Sequence, residues 1–287
     1  MPLRRNFYAS LPQHFLSRLA GRVVGIKAGV LSTCVIRSFA RRYGVNFAEA
    51  QRSDPADYAS FSDFFTRSLR PGVRRWPAQP NIPASPVDGV VSAAGTLDSD
   101  RLLQAKGVDY PLAALTANPT LTGRCRGGEY ATLYLRPGDY HRVHAPLAGE
   151  LRSIHYIPGR LWPVRPWAVR EIPGLFARNE RLVMELVTPA GTCLLIMVGA
   201  LMVGGLETVI SGAIRHGEGK PRYWDLNVTR PFFQQGDELG RFNFGSTVIL
   251  LFSPGMVKLD QTVLVPGHEI RLGEALEHSR AATRSCD

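Results

Sequence analysis

From Pro86 onward, glycine and proline turns cut the sequence into short runs rich in β-branched and aromatic residues, which favours antiparallel strands over most other folds. The runs are Val87–Ala94, Tyr130–Leu135, Leu147–Ile157, Arg181–Leu186, Cys193–Val198, Glu207–Ile210, Thr247–Phe252 and Thr262–Val265. Their spacing does not suit βαβ crossover units. The predicted class is α+β, with a mainly antiparallel β-sandwich or barrel-like body behind N-terminal amphipathic helices. Residues 11–44 read as helical, because Phe15, Leu19, Val23, Ile26 and Val30 recur at roughly helical spacing while His14, Arg18 and Arg22 share another face. Phe61, Phe64, Phe65 and Leu69 form a second short amphipathic stretch, closed by Pro71-Gly72, and the proline-rich segment Trp76–Pro86 reads as a connector. The expected division is a basic helical region over 1–80 and a β-rich body over 81–287.

A chain of 287 residues, 45% hydrophobic and 20% charged, is long and apolar enough to bury a sizeable core. Its net charge of +10 is concentrated at one end, residues 1–80 holding 13 Lys/Arg against 4 Asp/Glu. Such an arm seeks a polyanion, either a nucleic acid or an anionic lipid surface. A helix with its arginines toward lipid phosphates is one outcome, and a surface helix packed on its own core is the other. Cys34, Cys125, Cys193 and Cys286 are far apart and form no C-x-x-C pair, so reduced thiols are expected rather than a zinc site or a disulfide framework. The opening residues lack a signal-peptide core, and the apolar run Val23–Leu31 contains Lys27 and is too short to span a bilayer.

Three residue types for nucleophilic chemistry occur in the order Asp88, His144, Ser246. A serine hydroxyl needs a base, and a carboxylate can orient a histidine base. The order alone is weak, and no G-x-S-x-G elbow is present. Ser246 follows Gly245, whose carbonyl no side chain shields, so the serine could attack its own preceding peptide bond. A turn serine before a core strand describes the same residues. Asp88 lies in an Asp-Gly step where turn formation is the ordinary role. His141 and His144, three apart, would share a helix face but not a strand face. They have no Cys or acidic partner at ligand-like spacing, and no metal site is expected.

Taken with their surroundings, these segments resemble the phosphatidylserine decarboxylase family. The likeness is carried by Leu135-Arg136-Pro137-Gly138-Asp139-Tyr140-His141-Arg142-Val143-His144-Ala145-Pro146, by Ser85-Pro86-Val87-Asp88-Gly89 and by Gly245-Ser246-Thr247. It extends through Phe61–Gly72, Phe176–Arg181, Val198-Gly199-Ala200 with Val203-Gly204, and Gly236–Gly240, in order over roughly 10–270, while the tail from about Leu276 matches no family block. The family's cleavage motif is usually Leu-Gly-Ser-Thr, and Phe244 stands at its first position here. The resemblance implies a proenzyme cut between Gly245 and Ser246 into a β chain, 1–245, and an α chain, 246–287. Ser246 would be both nucleophile and precursor of a covalent pyruvoyl group, the cofactor, which would take the substrate amine as a Schiff base. His144 would be the base, Asp88 its orienting carboxylate, and His141 a proton shuttle or substrate-positioning group. Neither a metal nor pyridoxal phosphate is implied, and none of Lys27, Lys106, Lys220 and Lys258 has a pyridoxal-lysine context. The implied reaction turns phosphatidylserine into phosphatidylethanolamine and CO₂, with the protein peripheral on the anionic cytoplasmic face of the cell membrane. Its two chains would stay together, homo-oligomers occur in the family, and nucleic acid is not a partner.

Two other readings use the same residues. A serine hydrolase would employ Asp88, His144 and Ser246 on an external ester, and a fluorophosphonate probe on an intact chain would reveal it. A non-catalytic basic module would bind membrane or RNA, although its charge is not interleaved with aromatics as in single-strand binders.

Overall fold

The computed structural model describes residues 2–97, 101–105, 108–201, 205–214, 219–243 and 246–277. Three helices open the chain, α1 (Pro2–Ser10), α2 (Gln13–Val24) and α3 (Val30–Tyr43), and a short α4 (Phe61–Phe65) follows. The helix expected over 11–44 is therefore interrupted. Gly25 and Gly29 lie in the gap, and Gly29 has φ +55°, a conformation that side-chain-bearing residues rarely adopt. The predicted apolar face of this region points outward. Phe15, Leu19, Val23, Ile26 and Val30 are 47–81% exposed, whereas polar Gln13 and Ser17 are buried. Gln13 is satisfied there, accepting the Leu161 N–H at 2.9 Å and donating to the Tyr8 carbonyl at 2.8 Å. Ile36 and Ala40 of α3 meet Tyr58, Phe61, Phe64 and Phe65 in a small core of their own.

The body begins with β1 (Gly89–Thr96), the antiparallel pair β2 (Arg101–Ala105) and β3 (Val108–Pro111), and the helices α5 (Leu112–Thr116) and α6 (Pro119–Cys125). Next come β4 (Glu129–Leu135), β5 (Arg142–His144), β6 (Gly149–Ile157), α7 (Pro166–Glu171) and α8 (Leu175–Arg178). Then follow β7 (Arg181–Thr188), β8 (Gly191–Val198), β9 (Leu206–Thr208), β10 (Gly212–Ile214) and β11 (Arg222–Asp225). Four more strands end the sequence of elements, β12 (Phe232–Phe233), β13 (Glu238–Phe242), β14 (Ser246–Phe252) and β15 (Glu269–Ile270).

These strands build a main sheet in the order β11-β6-β7-β8-β14-β4-β1-β15, with β12 also on β6, and a second sheet in the order β10-β9-β13-β5. All described pairings between strands are antiparallel, and neither sheet closes into a barrel. The small sheet packs on one face of the main sheet through Val143, Leu206, Leu239 and Phe242. The opposite face is covered by α5 to α8 through Leu115, Leu121, Val169 and Phe176. The main sheet is thus the middle layer, which explains why β7, β8 and β14 read as continuous apolar runs instead of alternating ones. One expected strand is absent. Thr262–Val265 is a turn, because Asp260 Oδ1 accepts both the backbone N–H and the hydroxyl of Thr262, at 2.8 and 2.7 Å.

Candidate active site

Ser246 is the first residue of β14, the strand hydrogen-bonded to β8 on one side and β4 on the other. Side chains alternate along a strand. Val248, Leu250 and Phe252 join the core between the two sheets, while Ile249 and Leu251 face the helices. By that parity Ser246 belongs to the inter-sheet face and Thr247 to the helix face. Ser246 is 0% exposed, and its Oγ has no hydrogen-bond partner among the described residues. A buried hydroxyl left unpaired costs about 1–3 kcal/mol, and no contact among the described residues offsets that cost.

Phe242, four residues before Ser246, lies against the histidine loop. The Phe242 N–H donates to the His141 carbonyl at 2.9 Å, and Ser246 itself stands opposite Leu135. Phe244 and Gly245, the residues before the predicted cut, lie outside the described residues, as does Cys286. His141 is fully buried, stacked on Phe65 with ring centroids 4.0 Å apart and planes at 20°. Burial, reinforced by the nearby Arg67 charge, pushes its pKa down to about 3. The carbonyls of Pro137 and Arg136 pull the other way, from outside hydrogen-bonding geometry. Arg67, itself buried, holds the loop by donating to the carbonyls of Gly138 and Asp139 at 2.9 and 3.2 Å.

His144 ends β5. Its Nδ1 lies 2.7 Å from the Gly236 carbonyl, which can only accept, so Nδ1 carries the proton. Nε2 is then free to accept from the Tyr140 hydroxyl at 3.0 Å. Burial lowers the His144 pKa, so both histidines are neutral at pH 7.

Asp88, in the turn before β1, is held elsewhere. Its carboxylate accepts from Arg74 Nε at 3.2 Å, Arg74 Nη2 at 2.5 Å and the Leu272 N–H at 2.7 Å. Arg74 also pairs with Glu49 at 2.8 Å. Among the described residues no hydrogen bond joins Asp88 to His144, or either histidine to Ser246 Oγ. Asp88 reaches His144 only as a nearby negative charge. The expected triad therefore shares one region without forming one hydrogen-bonded chain, because Arg74 takes both oxygens of Asp88 and Gly236 takes Nδ1 of His144.

Sequence reasoning missed Arg74, Gly236 and Phe65 as site partners, and it quoted Tyr140 without a role. Only Tyr140 carried a local signal, four residues before His144. No group of three or more His, Cys, Asp or Glu among the described residues is placed to hold a metal ion.

With this geometry established, comparison with known proteins is decisive. A family model described as "Phosphatidylserine decarboxylase" matches residues 61–278, and a shorter one described as "PSD" matches 8–44. The chain belongs to the phosphatidylserine decarboxylase family. A "Phosphatidylserine decarboxylase proenzyme" of Acidovorax ebreus is 45% identical over 274 residues, covering 93% of this chain and 94% of the relative. Proteins of the same name from Anaeromyxobacter sp. (strain K) and Shewanella frigidimarina are 46% and 41% identical, each covering at least 92% of this chain and at least 93% of the relative. The chain is accordingly an enzyme, a carboxy-lyase of the phosphatidylserine decarboxylase family.

The buried histidine makes the fold sensitive to acid. Unfolded, His141 takes up a proton near pH 6.5, whereas folded it does so only near 3. The associated stability is complete above pH 6.5 and lost as pH falls toward 3. Wild type is expected to lose about 1.4 kcal/mol per pH unit below pH 6.5 from this group. Urea unfolding at a series of pH values checks it. The His141→Phe variant should show a shallower slope, with the smaller dependence due to His144 remaining. An unchanged slope would remove His141 from the account.

Proposed function

We propose that this chain is a proenzyme that cuts its own Gly245-Ser246 bond, converts Ser246 into a pyruvoyl group and decarboxylates phosphatidylserine to phosphatidylethanolamine at an anionic bilayer. The observation that carries this reading is Ser246 itself, a fully buried hydroxyl without a partner at the head of a central strand. In a protein of this family, such a hydroxyl is a reagent waiting for its own backbone. Ser246 Oγ adds to the carbonyl of residue 245, the C–N bond breaks, and an ester replaces the amide. Removal of the Ser246 α-proton expels the residue 245 carboxylate and leaves dehydroalanine, which takes up water and releases ammonia. The pyruvoyl carbonyl so formed supplies the electron sink that ordinary side chains lack.

The chain's own residues do the rest. His144 is assigned the proton removal, supported by its neutral state and fixed tautomer. Asp88 joins it once the carboxylate exchanges Arg74 for the imidazole. The His141 carbonyl accepts from Phe242, four residues before Ser246, and Phe65 covers the His141 ring against water. The outward apolar face of α2, with exposed Arg18, Arg22 and Lys27 beside it, supports peripheral attachment to a membrane. No helix among the described residues is long and apolar enough to cross one. The burial of Ser246 counts against an external ester as its target.

Intact-mass spectrometry of freshly purified protein tests the proposal. Two chains are expected, 1–245 and 246–287, the small one lighter than the plain peptide by one ammonia and blocked to N-terminal sequencing. A single whole chain in a preparation that releases CO₂ from phosphatidylserine would overturn it.

A further inference from the structure

An apolar cavity of about 590 Å³ lies on the helix face of the main sheet. Its volume falls within the usual range for small-molecule sites. One end is formed by Tyr134 and Thr247, strand neighbours in register, with Thr247 next in chain to Ser246. Thr247 is 1% exposed, and its Oγ1 has no hydrogen-bond partner among the described residues. The walls are Ala93 and Val169, both buried, and Leu103 at 44% exposure marks the rim. The mechanism above uses none of this space.

Helix α7 forms one wall of the cavity and also borders a second cleft of about 430 Å³, lined by Arg4, Phe7, Tyr8, Arg165 and Trp167. Tyr8 of α1 packs on Trp167 with ring centroids 5.4 Å apart, joining the outward N-terminal helices to α7. Arg4 and Arg165 are exposed and have no carboxylate partner among the described residues. Arg165 lines this second cleft, and its chain neighbours Val164 and Pro166 line the apolar cavity. Burial raises the Tyr134 hydroxyl above its ordinary pKa, and the Arg165 charge pulls in the opposite direction.

We propose that α7 is the lipid-seating element, with Arg165, assisted by Arg4, holding the substrate phosphate and the apolar cavity holding one acyl chain that runs outward from Thr247 along Val169 and Ala93 to Leu103. The assignment rests on the phospholipid-decarboxylase reading above and specifies where that lipid lies. It places the amine-bearing headgroup at the Tyr134–Thr247 end, next to the residue that the cut turns into a chain end. An unpaired guanidinium pair suits a phosphate, and a cavity this apolar suits a hydrocarbon better than a polar headgroup.

Photo-crosslinking tests the location without relying on turnover. The Ser246→Ala chain is irradiated in detergent micelles with phosphatidylserine carrying a diazirine on one acyl chain. Labels are expected in the segments 89–105 and 166–178, and labels confined to 2–43 would overturn the cavity assignment. In parallel, Val169→Phe narrows the cavity of the self-cut enzyme. Its kcat/KM for dioleoyl relative to dihexanoyl phosphatidylserine, in the same micelles, should fall about tenfold, as expected for crowding a hydrophobic pocket. Arg165→Glu should raise KM for both lipids while leaving that ratio in place. An unchanged ratio in Val169→Phe, with self-cleavage complete by mass, overturns the acyl site alone. A wild-type chain that neither cuts nor releases CO₂ brings down the enzymatic reading together with it.

Discussion

Alanine at position 246 is expected to leave the chain whole and abolish decarboxylation, with little effect on the fold. Oγ is the only heavy atom removed, and it has no hydrogen-bond partner among the described residues. Its removal deletes an unsatisfied buried group, so stability should stay level or rise by up to about 1 kcal/mol. Under the proposed mechanism function disappears completely, because the nucleophile and the source of the prosthetic group are the same residue. Intact mass, CO₂ release and thermal unfolding of the Ser246→Ala chain give the three readouts. A whole chain with wild-type unfolding and no CO₂ release is the predicted pattern. Residual turnover by an uncut alanine variant would show that the electron sink comes from somewhere else.

The second large effect concerns the membrane. Phe15, Leu19 and Val23 together place an apolar stripe in water. Burying such side chains at a lipid interface contributes roughly 1.5 kcal/mol or more apiece. Changing all three to serine should weaken binding to phosphatidylserine-containing vesicles by roughly a thousandfold or more. Because the three side chains are exposed, unfolding should change by no more than about 0.5 kcal/mol per site. Vesicle flotation at low and high salt measures the loss and separates it from the contribution of Arg18, Arg22 and Lys27. Unimpaired flotation of the triple-serine chain would locate the attachment in another surface.

The strands were legible because the middle layer of the protein is apolar on both faces, leaving uninterrupted runs such as Ser246–Phe252 between turns. Helices α5 to α8 were not, since segments of four to seven residues are too short to display a helical period. Thr262–Val265 has strand-forming residues, yet the carboxylate of Asp260 captures its first turn. In the site, the residue types that do chemistry could be named from sequence, with family resemblance choosing among their possible roles. Their partners could not. Arg74 lies 14 residues from Asp88, and Gly236 lies 92 from His144. Pairings of that kind are set by tertiary packing, and neither leaves a trace in local pattern.

The position of β14 has a consequence for how the mature protein can be handled. A cut before its first residue severs none of the described strand pairings, and β14 stays laced between β8 and β4, with Leu272 on Asp88 and Leu276 on the Pro83 carbonyl. Once those contacts are melted, however, the central strand diffuses away as a separate molecule. Reassembly then becomes a second-order reaction, in competition with aggregation of a sheet that has lost its middle. If the proposed cut is made, the uncut precursor is expected to refold as one chain, whereas the durability of the two-chain form is expected to be a half-life rather than an equilibrium.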